Sequence, residues 1–293
     1  MKQVFQTTTT TSGQKLRKKV ILQILVIGIL FGATALQAQK KTTHVDTVNE
    51  IVDTYQPFSF GLQVKNMHLW HGFVVTPGPM FATNLEFNSR DKKFTFGFWG
   101  GAGAASDVTN KKTGADVGAN YKEFSIYTAY HFTDKFFIEA VTHNNYTGVE
   151  ERGDVLHYWS YDKRQGYNFV DLNFGYQVTK NTSLYLATIL AGRAGDYEVQ
   201  GDGSLRDSYT HYLEVKSKVF EKNGTSLSLF AGGAYSFIND KTFYTEGKGN
   251  IINVGATLSK KVAIANYVLP VDVTAMWNPE KQKTVLQIAA KIF

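Results

Sequence analysis

Beyond residue 57 the chain alternates apolar and polar residues, and no stretch shows the 3.6-residue period of a helix. Phe58, Phe60, Leu62 and Val64 alternate with Ser59, Gly61, Gln63 and Lys65. Phe94, Phe96 and Phe98 alternate with Thr95, Gly97 and Trp99. The clearest run sets Val170, Leu172, Phe174, Tyr176 and Val178 against Asp171, Asn173, Gly175 and Gln177. Ile252, Val254, Ala256 and Leu258 likewise oppose Asn253, Gly255 and Thr257. Period two is the signature of strands with one apolar face. The pattern predicts twelve strands, over 58–70, 79–87, 93–105, 121–132, 135–143, 167–179, 183–191, 208–220, 226–238, 250–259, 263–277 and 283–293.

The connections alternate in length. Short turns at 88–92, 133–134, 180–182, 221–225 and 260–261 take turns with mostly longer polar segments at 71–78, 106–120, 144–166, 192–207 and 239–249, and with a short one at 278–282. A membrane barrel has short turns on one rim and longer loops on the other. Most strands match the ~9–11 residues that cross a bilayer at a tilt. The expected fold is therefore all-β: a transmembrane antiparallel up-and-down barrel of about twelve strands. An even count puts both termini on the short-turn, periplasmic side. A soluble β-sandwich also alternates, but its core could not take so polar a second face without cost.

Three details refine this picture. Pro270 falls inside the eleventh strand, which calls for a bulge or a shifted boundary. The first strand loses its phase between Asn66 and Leu69, again suggesting a bulge. Aromatics collect near strand ends: Phe87, Phe94, Phe132, Phe136 and Phe220 at the short-turn rim, Trp70, Tyr121, Tyr209 and Trp277 at the loop rim.

Composition changes little except at the N-terminus. The 293 residues carry a formal charge of +6 and contain no cysteine. Residues 1–38 hold Lys2, Lys15, Arg17, Lys18, Lys19 and no acid, so the remainder is nearly neutral and has no nucleic-acid footprint. Lys15–Lys19, the uncharged run Val20–Ala35 and small residues at Ala33, Ala35 and Ala38 follow the order of a secretory signal peptide. A spanning helix needs ~20 apolar residues, and this run is 16 long with a Gln and two Gly inside. The expected organisation is a cleaved signal peptide over 1–38, with cleavage after Ala35 or Ala38. A polar periplasmic tail over 39–57 and a barrel over 58–293 follow it. Export places the barrel in the outer membrane of a Gram-negative cell.

The opening hairpin, Lys65-Asn-Met-His-Leu-Trp-His-Gly-Phe-Val-Val-Thr-Pro-Gly-Pro79, precedes Phe81–Phe87 and the Gly- and aromatic-rich Phe94–Ala104. With Glu123–Phe132 and the closing Phe293, these residues resemble the TorF-type porin family, in patches after residue 57. That family pairs an aromatic-x-Gly turn with a Pro at the start of the second strand. It usually carries Arg before the hairpin Gly, where this chain has His71. The resemblance implies an outer-membrane barrel passing small polar solutes, with no catalytic residues and no cofactor. It also implies recognition of Phe293 by the barrel-assembly machinery. Phe293 is out of phase with Leu286, Ile288, Ala290 and Ile292, and Lys291 stands where the usual assembly signal is apolar.

The polar face supplies the candidate chemistry. Glu86, Glu123, Glu139, Asp171, Glu214, Lys216, Lys218 and Asp272 are expected to line the lumen, joined by Lys65, Lys291, Tyr127, Tyr185 and Tyr212. They read either as a charged solute path or as an interior plugged by ion pairs. A twelve-strand barrel lies between the filled eight-strand and the open 16–18-strand sizes. Tyr158, Trp159, Tyr161 and Arg164, in the loop Gly153–Gly166, form a candidate binding surface. A non-conducting, partner-binding barrel is the alternative function. A lipid-acting enzyme would need His143 and Glu139 beside a nucleophile at the lipid edge, and Asn145 stands where a Ser would strengthen that case. His68 and His71, three apart on a strand, do not converge on a metal.

Overall fold

The computed structural model describes residues 55–109, 116–145, 161, 163, 168–192 and 195–293. The leader, the tail up to Thr54, and Tyr158, Trp159 and Arg164 lie outside the described residues. Sixteen strands follow in order: β1 (Phe58–Lys65), β2 (His68–Trp70), β3 (Phe73–Thr76), β4 (Met80–Asn88), β5 (Phe94–Thr109), β6 (Asp116–Thr133), β7 (Phe136–His143), β8 (Phe169–Gln177), β9 (Thr182–Ala191), β10 (Tyr197–Val199), β11 (Leu205–Asp207), β12 (His211–Lys222), β13 (Thr225–Tyr235), β14 (Gly249–Ile264), β15 (Tyr267–Asn278) and β16 (Lys283–Lys291).

Twelve of them close into an antiparallel barrel in the order β1-β16-β15-β14-β13-β12-β9-β8-β7-β6-β5-β4, and β2–β3 and β10–β11 are separate hairpins. Closure leaves no sheet edge, which is what a spanning β structure requires. The alternation has the expected sense. Phe58, Phe60, Phe96, Phe124, Leu213, Leu229, Leu258, Trp277, Leu286 and Ile288 are exposed on the outer surface. Asp171, Asn173, Ser125 and Asn253 are buried inside.

The short-turn rim follows turn chemistry. Asn223-Gly224 joins β12 to β13 with φ of 49° and 69°, the left-handed pair that a two-residue hairpin demands. Pro270 sits in the ladder opposite Lys261. Its missing N–H lies on the β16 side, beyond the last β15–β16 pair, Val271↔Ala290, so no bulge is needed. The boundary does shift, because β14 runs to Ile264 and the turn expected at 260–261 falls at 265–266.

Two expectations about phase are corrected. β1 leaves the wall at Lys65 and β4 resumes opposite it at Met80, so 66–79 is an excursion from the barrel and not a bulged continuation of the first strand. The Asn66 amide completes the seam: its Oδ1 accepts from Ile288 N (2.8 Å) and its Nδ2 donates to Leu286 O (3.0 Å). In β14 the ladder passes from Gly232↔Asn253 to Gly233↔Ile251, leaving Ile252 as the extra residue of a bulge. Ile252 is fully buried and so leaves the outward set.

At the C-terminus, Ile292 N and Phe293 N both donate to Leu62 O (2.8 and 3.4 Å). This local irregularity shifts the phase by one and sets the Phe293 ring beside outward Phe60, with centroids 6.2 Å apart.

Candidate functional site

The excursion at 66–79 folds into the barrel. Its β2–β3 hairpin turns at His71-Gly72, with φ of 44° and 83°. Gly72 is required there on two counts: its φ is positive, and a Cβ would meet Ile252 O at 2.3 Å. Around the hairpin, side chains from most of the wall converge. His68 stacks on Trp99 of β5 (5.3 Å) and lies 5.9 Å from Tyr121 of β6. Trp70 packs against His143 of β7 and Phe169 of β8 at 5.3 and 5.7 Å. His71 stacks on Tyr212 of β12 (4.1 Å) and approaches Tyr185 of β9 (5.6 Å). On the far side Asn278 Nδ2 of β15 donates to Gly72 O (3.0 Å), and Gln287 Nε2 of β16 donates to Met67 O (2.9 Å).

A second stopper comes from the connection between β13 and β14. Phe243 and Tyr244 lie against Phe73 at 5.8 and 5.1 Å, and Tyr244 Oη is 2.9 Å from His71 Nδ1. Ser236 Oγ and Asn239 Nδ2 pin this segment to Ser208 and to Arg206 O. The loop-side half of the lumen is thus filled by an aromatic core built on Tyr212, Tyr244 and Ile252. Trp70 and Tyr121 belong to this interior, not to a lipid-facing girdle; Trp277 remains outside.

Burial keeps both plug imidazoles neutral. It pushes His68 down to about 4, helped by the Lys65 ammonium and His143, while Glu123 acts the other way. It holds His71 well below the ordinary histidine range, with His143 adding to the effect. Burial likewise raises the Tyr244 hydroxyl well above its usual range.

On the inward side of the wall the polar side chains form hydrogen-bonded groups. Glu123 accepts from Tyr121 Oη (2.6 Å) and Ser125 Oγ (2.9 Å), with His143 Nδ1 at 3.7 Å. His143 Nε2 meets Asp171 Oδ2 at 3.0 Å. Asn173 Nδ2 bridges Glu139 (3.1 Å) and Asp171 (3.2 Å). Glu86 accepts from Tyr127 Oη (2.7 Å) and Ser59 Oγ (3.1 Å). Glu214 accepts from Tyr212 Oη (2.6 Å) and Asn253 Nδ2 (2.8 Å). Lys218 pairs with Glu221 at the short-turn mouth.

Below the plug the lumen is lined by solvent-accessible polar groups. Ser59, Lys216, Asp272 and Lys291 face inward yet are exposed, which places a polar vestibule open towards the short-turn rim. Among the described residues no group of three or more His, Cys, Asp or Glu could hold a metal ion. Of the loop candidates only Tyr161 is described, and it abuts Gly192, where a Cβ would stand 2.6 Å from its ring. The plug is what residue-by-residue reading missed. The phase slip at Asn66–Leu69 together with an x-Gly pair between Trp70 and Phe73 was the available signal.

No family model matches the chain, and no curated protein does. The likeness to TorF-type porins therefore stays with the residues that suggested it. Among solved structures, an outer membrane channel from Pseudomonas putida F1 is similar at 13% identity over 85% of this chain and 98% of that one, with a TM-score of 0.43. A FadL homologue from Pseudomonas aeruginosa is similar at 13% identity over 80% and 75%, with a TM-score of 0.37. LpxR from Salmonella typhimurium is similar at 9% identity over 79% and 98%, with a TM-score of 0.35. At such values the identification of the chain as a twelve-stranded antiparallel barrel stands on its own closed ladder.

Proposed function

We propose that this is an exported outer-membrane barrel whose lumen is a path for small polar solutes, held shut at its loop end. The outer surface supports the membrane reading: Phe, Leu, Ile and Val are exposed on it strand after strand, while the inward positions below the aromatic plug are mostly polar. The observation that carries the reading is the β2–β3 hairpin, which touches opposite walls of the barrel above a vestibule of solvent-accessible polar side chains. A barrel built only as a scaffold has no need of a polar cavity below its stopper. His143 is turned into the lumen against Asp171 and away from lipid, so we assign it no role in lipid chemistry. Phe293, brought into the outward phase beside Phe60, is the residue we assign to recognition by the assembly machinery.

The test is conductance in a planar bilayer. Lys65 and Met80 are already paired, so residues 66–79 can be replaced by a two-residue Asn-Gly turn. The native barrel should be closed most of the time, and the shortened one should conduct steadily. If both are folded and silent, the channel reading fails and a partner-binding barrel takes its place.

A further inference from the structure

The charged residues of the lumen are sorted by wall. Along β4 to β8 the inward set holds Glu86, Glu123, Glu139 and Asp171, with His143 and His131 as the imidazoles among them. Along β12 to β16 and on to β1, the inward set holds Lys216, Lys218, Lys261, Lys291 and Lys65 against Glu214 and Asp272. In a closed ring of twelve strands these two arcs stand opposite each other. The field inside the vestibule therefore runs across the barrel, from a lysine wall to a carboxylate wall.

The two walls differ in how they are satisfied. The carboxylates are held in place by hydroxyl and amide donors: Tyr127 and Ser59 on Glu86, Asn173 on Glu139. Each such oxygen can still accept a further donor. Asn173 is itself buried on the inward face, and its Oδ1 has no donor. On the other wall Lys65, Lys216, Lys261 and Lys291 make no hydrogen bond or ion pair among the described residues. One wall thus offers carboxylates fixed by neutral donors, and the other offers ammonium groups that no hydrogen bond ties down, although Asp272 lies near Lys65 and Glu221 near Lys261.

We infer that the vestibule takes small zwitterionic solutes, with the ammonium end on the Glu86–Glu139 wall and the carboxylate end on the Lys216–Lys291 wall. The inference rests on the channel reading and names its solute class. A single positive or negative charge could satisfy one wall only, and in the centre of the vestibule it would face the repulsion of the other. A solute with both charges satisfies both walls in one orientation and lies along the field.

The vestibule opens on the short-turn side, so binding can be read on the closed, full-length barrel. The experiment is saturation-transfer NMR on that protein in detergent, with ε-aminocaproate as probe and caproate and hexylammonium as single-charge controls. The zwitterion should give the strongest transfer. Glu139→Gln and Lys216→Gln should each weaken it roughly fivefold, the scale of one water-accessible ion pair. Glu86→Gln and Lys291→Gln repeat the test should either first variant fail to fold. The proposal is overturned if a single-charge control binds as well as the zwitterion, if no probe binds, or if folded variants keep native binding. Silence of the barrel lacking residues 66–79 would sink the channel reading alone. Conduction by that barrel without zwitterion binding would sink this proposal alone.

Discussion

Replacing Leu229 by lysine puts a charge on the outer face of β13, where Leu229 is 47% exposed. Near the bilayer midplane this should cost about 2–4 kcal/mol in urea unfolding from lipid vesicles, while Ser228→Lys, one residue away and inward, should cost far less. Equal costs would mean that the outer face does not meet lipid. Asn173 would be the wrong inward control, because it is buried and bridges Glu139 and Asp171. Gly97 makes a second residue-scale case. A Cβ there would lie 2.3 Å from the Tyr127 ring. Gly97→Ala should displace that ring, break its 2.7 Å bond to Glu86 and destabilise by about 1–3 kcal/mol in the same assay. Which side chains face outward was legible in the sequence, since apolar groups recur at every second position of the strands. Ile252 was not, because a bulge opposite two glycines reversed its face without altering its residue type.

At the scale of elements the plug hairpin carries the next prediction. His68 is faced by Lys65, Tyr121, Glu123 and His143, and His71 by Tyr185, Tyr212, Tyr244 and His143. Free imidazoles titrate near 6.5. Seated, His68 titrates at about 4 and His71 also lies well below its ordinary value, so the seated hairpin binds fewer protons than the released one. Seating is therefore at full strength above about pH 6.5 and weakens as pH falls towards about 4. Open probability in a planar bilayer should rise over that interval, and a His68→Phe, His71→Phe double variant should flatten the rise. A pH-independent native trace would show that these imidazoles do not hold the plug. The existence and order of the wall strands could be read from the sequence, but β5, β6 and β14 run four or five residues further than expected. The hairpin could not be read, since His68-Leu69-Trp70 continues the apolar and aromatic character of β1. What sends it inward is a pair of left-handed residues at His71-Gly72 and an Asn66 side chain that takes over the seam with β16.

For the whole molecule, alternating connection lengths predict that the longer connections lie outside the cell. A protease added to intact cells should cut the hairpin tip at Gln200–Ser204, which joins β10 to β11 and is mostly exposed, and should spare the Asn223-Gly224 turn. Cleavage confined to the short turns would invert the barrel in the membrane. The barrel class and approximate strand count followed from periodicity taken together with the alternation of short and long connections. The stoppered lumen did not, because it depends on which residues meet across the ring.

The position of the plug in the chain has a consequence for the order of folding. The hairpin at His68–Thr76 is made near the N-terminal end of the barrel, yet it touches residues as distant as Asn278 and Gln287. Contacts of such long sequence separation are slow to form. Asn66, at the root of the hairpin, is also a stitch of the β1–β16 seam. Ring closure and stoppering are thus one late event. A chain halted just before it would be a curled but unjoined sheet, with a polar trough facing the bilayer that the finished molecule hides.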